Sequence, residues 1–109
     1  MKNFVKMDSI TSFNSSGLSG TLQAINTSGF GGPAFLIRIV NDSTVPVAVS
    51  FDGVRAHDYV HKASTLELNL QTNSMPNGFV SCFKKGTKVY VSGTAGSGYI
   101  YLAVYYLGS

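Results

Sequence analysis

The sequence predicts an all-β protein: a small antiparallel β-sandwich or jelly-roll-like domain with an N-terminal arm. Three observations carry this expectation. Residues 45–51 read Val45-Pro46-Val47-Ala48-Val49-Ser50-Phe51, with a large apolar group at every second position, and Asp52-Gly53 follows as a turn pair. Strand side chains alternate faces, so Val45, Val47, Val49 and Phe51 share one side and Pro46, Ala48 and Ser50 the other, as in a half-buried antiparallel strand. Short β-forming runs of this kind recur about every ten residues, some seven or eight in all, with turn residues between them. No stretch requires a helix of ordinary length.

With 109 residues the chain has room for one domain. A globule of this size buries somewhat over ~60% of its unfolded surface, enough for a core without metals or disulfides. Hydrophobic residues make up 44% of the chain and charged residues only 12%, the latter about half the usual share. So weakly charged a β-protein has little electrostatic protection against edge-to-edge pairing. It is expected to cover its apolar surface in an assembly.

The elements follow in chain order. Residues 9–32 are crowded with Ser, Thr, Asn and Gly around isolated apolar residues such as Phe13, Leu18, Ile25 and Phe30. Residues 1–33 therefore read as an arm or extension that docks on the domain or on a neighbouring subunit, with a possible strand at 21–26. Gly29-Phe30-Gly31-Gly32-Pro33 breaks the chain before the sandwich domain, residues 34–109. Phe35, Ile37 and Ile39 then alternate with Leu36, Arg38 and Val40, and Asn41-Asp42-Ser43 is expected to turn into the 45–51 strand as a hairpin. Pro46 cannot donate to a ladder, which predicts an edge or a bulge there. A short segment at 57–60 precedes residues 64–70, where Leu66, Leu68 and Leu70 alternate with Thr65, Glu67 and Asn69. The period is two, so this run reads as a strand. Residues 75–78 read as a loop, 79–83 as a short strand, and 87–92 as a strand with Val89 and Val91 on one face. The last run, residues 99–106, is apolar or aromatic throughout, as for a strand central to a covered sheet or shared with another chain.

Candidate chemistry is sparse. His57-Asp58-Tyr59-Val60-His61 is the one concentration of ionisable groups. On a strand His57 and His61 share a face, but their Cα atoms would lie roughly 13 Å apart, too far for one ion. The helical alternative lacks the glutamate of a zinc protease. No serine sits in a Gly-x-Ser-x-Gly elbow, and adjacent His57 and Asp58 point to opposite faces of a strand. The loop Gly93-Thr94-Ala95-Gly96-Ser97-Gly98 lacks the lysine and helix of a phosphate-binding loop. The sequence thus assigns no catalytic, cofactor or metal residue. The net charge of +3, with Lys84, Lys85 and Lys88 clustered, is too small an excess to indicate nucleic acid. Cys82 is the single cysteine, which precludes an internal disulfide and reads as a buried, inert thiol. Residues 1–8 lack the apolar core of a signal peptide, and no run approaches a membrane helix, so the protein is expected to be made in a cytosol and not to enter a membrane. Tyr99, Tyr101 and Tyr105 share one parity and Tyr106 the other. With Phe30 they are the expected subunit-interface residues, because tyrosine suits surfaces that are partly dry and partly wet. An exposed row of tyrosines would also stack on sugar rings.

Taken together, Ile37-Arg38-Ile39-Val40-Asn41-Asp42-Ser43, Val47-Ala48-Val49-Ser50-Phe51-Asp52-Gly53-Val54 and His57-Asp58-Tyr59-Val60 resemble small all-β structural proteins of tailed-bacteriophage virions. So does the ending Lys85-Gly86-Thr87-Lys88-Val89-Tyr90-Val91 with Gly93-Thr94-Ala95-Gly96-Ser97-Gly98-Tyr99-Ile100-Tyr101-Leu102. The resemblance spans residues 34–106 and leaves the arm unmatched. It implies a non-enzymatic head, neck or tail component, located in the virion, that forms a homo-oligomer and binds other virion subunits by packing. A carbohydrate- or receptor-binding module is the alternative, with a glycan as partner.

Overall fold

The alternation in residues 34–51 sets an inner and an outer face, but the chain uses it to build two sheets and not one hairpin. The computed structural model describes residues 4–69 and 83–108. Its strands are β1 (Phe4–Met7), β2 (Thr11–Asn14), β3 (Gln23–Ala24), β4 (Ala34–Ser43), β5 (Val47–Ser50), β6 (Asp58–Val60), β7 (Ser64–Asn69), β8 (Tyr90–Ser92) and β9 (Gly98–Gly108), with one 3-10 turn at Ser15–Gly17. The five-stranded sheet runs β7, β4, β9, with β1 and β2 lying end to end along the far side of β9. The second sheet runs β3, β8, β5, β6. All strand pairs are antiparallel. The fold is an all-β sandwich.

The core lies between the sheets. Register pairs Ile37 with Val104, Ile39 with Leu102 and Asn41 with Ile100 across β4 and β9, so the buried positions of the two strands share one face. Val47, Val49, Val60 and Val91 answer from the second sheet, and these core aliphatics are all 3% exposed or less. Burying one such side chain stabilises the fold by about 1.5–3 kcal/mol before the cost of ordering it.

The structure corrects the expected hairpin. Asn41, Asp42 and Ser43 continue β4, and the chain then crosses to the other sheet. Asn41 is fully buried. Its Nδ2 donates to the carbonyls of Val45 (2.8 Å), Val60 (3.2 Å) and His61 (3.2 Å), while its Oδ1 accepts the Ser43 N–H (3.2 Å). A residue type that favours turns here ties both sheets to the crossover. Pro46 is corrected likewise: β5 is interior, between β8 and β6, and its ladder begins one residue later at Val47. The missing donor therefore falls outside the pairing.

Residues 4–33, expected as an arm, are woven into the sandwich. β1 and β2 pair with β9, β3 pairs with β8, and Leu18, Ile25 and Phe30 enter the core. The strand expected at 87–92 is shorter because Asn26 takes over its first part: Nδ2 donates to the Thr87 carbonyl (3.2 Å) and Oδ1 accepts the Val89 N–H (2.7 Å). Leu70, the 75–78 loop, residues 79–82 and Cys82 lie outside the described residues. Phe83 forms a single bridge with Ala34.

Replacing Asn41 by Leu leaves three carbonyls without their donor in a buried crossover. The expected loss is about 2–4 kcal/mol, measured as a lower urea midpoint with an unchanged slope.

Candidate assembly surface

The alternation that buries Ile100, Leu102 and Val104 turns Tyr99, Tyr101, Ala103 and Tyr105 onto the outer face of the five-stranded sheet. Register fixes their neighbours. Tyr105 lies beside Leu36, Ala103 beside Arg38, Tyr101 beside Val40 and Tyr99 beside Asp42, with Asn69, Glu67 and Thr65 continuing the first three rows onto β7. On the other side Met7 stands opposite Tyr105, Ser12 opposite Tyr101 and Asn14 opposite Tyr99. Met7 is 64% exposed, Ile10 70% and Tyr99 44%. The rings of Tyr99 and Tyr101 have centroids 6.2 Å apart and planes 29° from parallel. Charge in these rows is limited to Asp42 and the Arg38–Glu67 pair, whose Nε–Oε1 distance is 3.6 Å. That pair is exposed and contributes at most about 1 kcal/mol. Met7, Asp8, Ile10, Arg38, Ala103 and Tyr105 line a shallow hollow of about 130 Å³ in this face.

The remaining two expected interface residues lie elsewhere. Tyr106 turns to the other side of β9 and packs against the core. Its ring lies over Gly32, where a Cβ would come within 2.3 Å of the ring. Only a glycine leaves that space. Phe30 is 2% exposed and meets the Phe83 ring edge-on at 6.0 Å. This corrects the expectation for Phe30: the chain's own core occupies it.

The sequence did not single out Val54, 80% exposed at the tip of the 51–57 turn, where an isolated valine carries no periodic signal. The turn is tightly built. Ser50 Oγ accepts the N–H groups of Asp52 (3.3 Å) and Gly53 (3.0 Å) and donates to Asp52 Oδ1 (3.0 Å). Asp52 Oδ1 in turn accepts the N–H groups of Val54 (2.8 Å) and Arg55 (3.2 Å). These two amides hold the Asp52 carboxyl down at about 2. His57 closes the loop: its Nδ1 accepts the Phe51 N–H at 3.1 Å, its Nε2 lies 3.6 Å from Asp52 Oδ2, and its ring stacks on Phe51 at 5.9 Å.

A serine, an aspartate and a histidine thus meet, but not as a nucleophilic triad. The Ser50 hydroxyl bonds the carboxylate and not the imidazole, and Ser50 is fully buried. His61 instead meets the edge of Tyr59 at 5.7 Å. Among the described residues no three His, Cys, Asp or Glu side chains gather to hold a metal ion. A second hollow of about 210 Å³, lined in part by Asp8, Thr11, Asn26 and Ser28, has Asp8 as its ionisable group. The Asn26 amide there is committed to Thr87 and Val89.

No protein-family model matches the chain, and no curated protein matches it. Among solved structures, one chain described under the words "Bacillus endospore appendages form a novel family of disulfide-linked pili" is 15% identical. The alignment covers 100% of this chain and 93% of that one, with a TM-score of 0.49. A likeness at this level carries no functional conclusion. No helix among the described residues is long and apolar enough to cross a membrane.

Asp52 makes the turn acid-sensitive. Its folded pKa lies below the ordinary aspartate value of the unfolded chain, so between these values the unfolded state binds more protons and stability rises with pH. The contribution is complete above the unfolded value and lost as pH falls through about 2. NMR titration is expected to give a carboxyl midpoint near 2 and matching shifts of the Val54 and Arg55 amides. Asp52→Asn is expected to flatten the acid limb of the stability profile.

Proposed function

We propose that the chain is a non-catalytic structural subunit that self-assembles through the outer face of its five-stranded sheet. One observation carries this reading. Tyr99, Tyr101 and Tyr105 stand with Leu36, Val40, Ala103 and Met7 on an open face whose rows hold only Asp42 and one exposed ion pair. Contiguous apolar and aromatic surface poor in charge is what a protein partner desolvates at least cost. Tyrosine adds large contact area with little side-chain entropy to lose and a hydroxyl for the wet rim. Residues 34–106, which resemble phage virion proteins, include the β4 and β9 parts of this face, and that supports a virion as the place of assembly, with other virion subunits as further partners.

A glycan-binding reading has one observation in its favour. The Tyr99 and Tyr101 rings are near-parallel and side by side on one strand, an arrangement on which consecutive sugar rings could stack. Among the described residues the hollow in this face is lined mostly by Met7, Ile10, Ala103 and Tyr105, and the protein-contact reading is preferred.

Sedimentation velocity across a concentration series tests the proposal. The wild-type protein is expected to associate as concentration rises. Tyr101→Glu, which places a charge in the middle of the face, is expected to weaken association by about tenfold or more with folding unchanged. A wild-type chain that stays monomeric at millimolar concentration, or saturable glycan binding abolished by Tyr101→Ala, would overturn the protein-contact reading.

A further inference from the structure

Away from the assembly face, both nitrogens of one histidine are engaged at the base of the 51–57 turn. A backbone amide can only donate, so the Phe51 N–H at 3.1 Å requires a lone pair on His57 Nδ1. The single proton of the neutral ring then sits on Nε2, which lies 3.6 Å from Asp52 Oδ2. One nitrogen is thus held by a donor and the other by a carboxylate. The ring also lies along Phe51, with centroids 5.9 Å apart and planes 29° from parallel, and Phe51 stacks in turn on Phe83 at 5.1 Å. The charges around the ring are few. Asp52 is the ionisable group in ion-pair range, the Asp58 carboxylate accepts the Tyr59 N–H (2.8 Å), and Phe51 and Phe83 are uncharged. Arg55 and Lys84 are the cations of the adjoining segments.

We propose that His57 is a proton-operated latch: when the imidazole takes up a second proton, the Phe51 N–H loses its acceptor and the base of the turn comes loose. With Nε2 already protonated, the incoming proton has only Nδ1 to occupy. Two N–H groups then point at one another, and the charged ring has no lone pair left to accept. Asp52 draws the proton in while the Phe51 amide opposes it, so the attraction and the bond it destroys meet on one ring. Histidine changes charge between about pH 5 and about pH 8, where other unperturbed side chains do not. The Asp52 carboxyl titrates near 2 and stays ionised throughout that range. The event is confined to one side of the base. The His57 N–H on the Val49 carbonyl (2.7 Å) and the Asp52 bonds to the Val54 and Arg55 amides hold the rest of the turn. The loosened residue is Phe51, the outer member of a row of rings that continues through Phe83 to the buried Phe30. The latch does not depend on how copies of the chain meet.

Nitrogen NMR of the full-length protein tests the latch. At about pH 8 the His57 Nδ1 signal is expected in the unprotonated range, with a scalar coupling across the hydrogen bond to the Phe51 nitrogen. As pH falls to about 5 the coupling is expected to vanish in step with ring protonation, and Phe51 amide protection, corrected for intrinsic exchange, to fall at least about tenfold. The His57 amide and the amides of β4 and β9 are expected to keep their protection, which separates the event from global unfolding. Asp52→Asn keeps an oxygen for the Val54 and Arg55 amides but removes the charge. In that variant ring protonation and the loss of Phe51 protection are expected to move together to lower pH. His57→Asn supplies an acceptor that does not titrate, and is expected to hold Phe51 protection within about twofold over the same range. A neutral ring protonated on Nδ1, or Phe51 protection unchanged while the ring titrates, would overturn the latch. A loss of the same size in His57→Asn would do so too.

Discussion

The ladder between β4 and β9 is the constraint on which the rest of the molecule depends. It pairs Ala34 with Tyr106 at one end and Ser43 with Gly98 at the other, with a single register shift around Phe35. Because residues opposite one another share a face, that one register decides at once which side chains build the core and which stand outside. Ile37, Ile39, Ile100, Leu102 and Val104 go in; Tyr99, Tyr101, Tyr105, Val40 and Arg38 go out. A slip by one residue would bury the tyrosines and the Arg38 guanidinium and expose the isoleucines, which is why such a register is strongly held. Gly98 permits the start of the ladder: its φ is +96°, and a Cβ there would lie 2.4 Å from the Asp42 carbonyl oxygen.

Around this spine the other elements solve local problems of polarity. β1 and β2 cover one edge of β9 in two pieces. The break between them is held by the Asp8 N–H on the Val104 carbonyl (3.1 Å) and by the Asp8 carboxylate on Gly31. Asn41 and Asn26 are buried amides that replace ladder bonds where the chain leaves one sheet or approaches the other. Among the described residues no buried side-chain nitrogen or oxygen lacks a partner. The polar groups of the described interior are thus all engaged within the fold. On the outer face of the five-stranded sheet Tyr99, Tyr101, Tyr105, Leu36, Val40, Ala103 and Met7 stand in rows whose charge is limited to Asp42 and the Arg38–Glu67 pair. This is the physical ground for reading the chain as an assembling subunit.

The 51–57 turn shows how far local sequence can mislead about a site. Ser50, Asp52 and His57 carry the residue types of a hydrolase, yet each is consumed in holding the backbone. The same bonds fix the backbone around the exposed Val54.

Much of the architecture was legible in the residues. Alternation with period two marked β4, β5 and β7, an unbroken apolar and aromatic run marked β9, and the parity of Tyr99, Tyr101 and Tyr105 put them on one face, because a strand's pleat follows from its own backbone. What that parity could not decide was which strands become neighbours. The Asn41-Asp42-Ser43 run has the composition of a hairpin turn; it becomes a crossover because Asn41 finds the carbonyls of Val60 and His61, from a strand pair some twenty residues on. The scattered apolar residues of 4–33 gave no period, so only the unfilled edges of β9 and β8 assigned them to the sandwich. Tyr106 and Phe30 looked like surface aromatics until Gly32 and Phe83 supplied partners distant in sequence. Local sequence determines the two faces of each strand, through geometry that repeats every second residue. The tertiary fold alone decides what covers each face, because that depends on contacts between segments that no local pattern encodes.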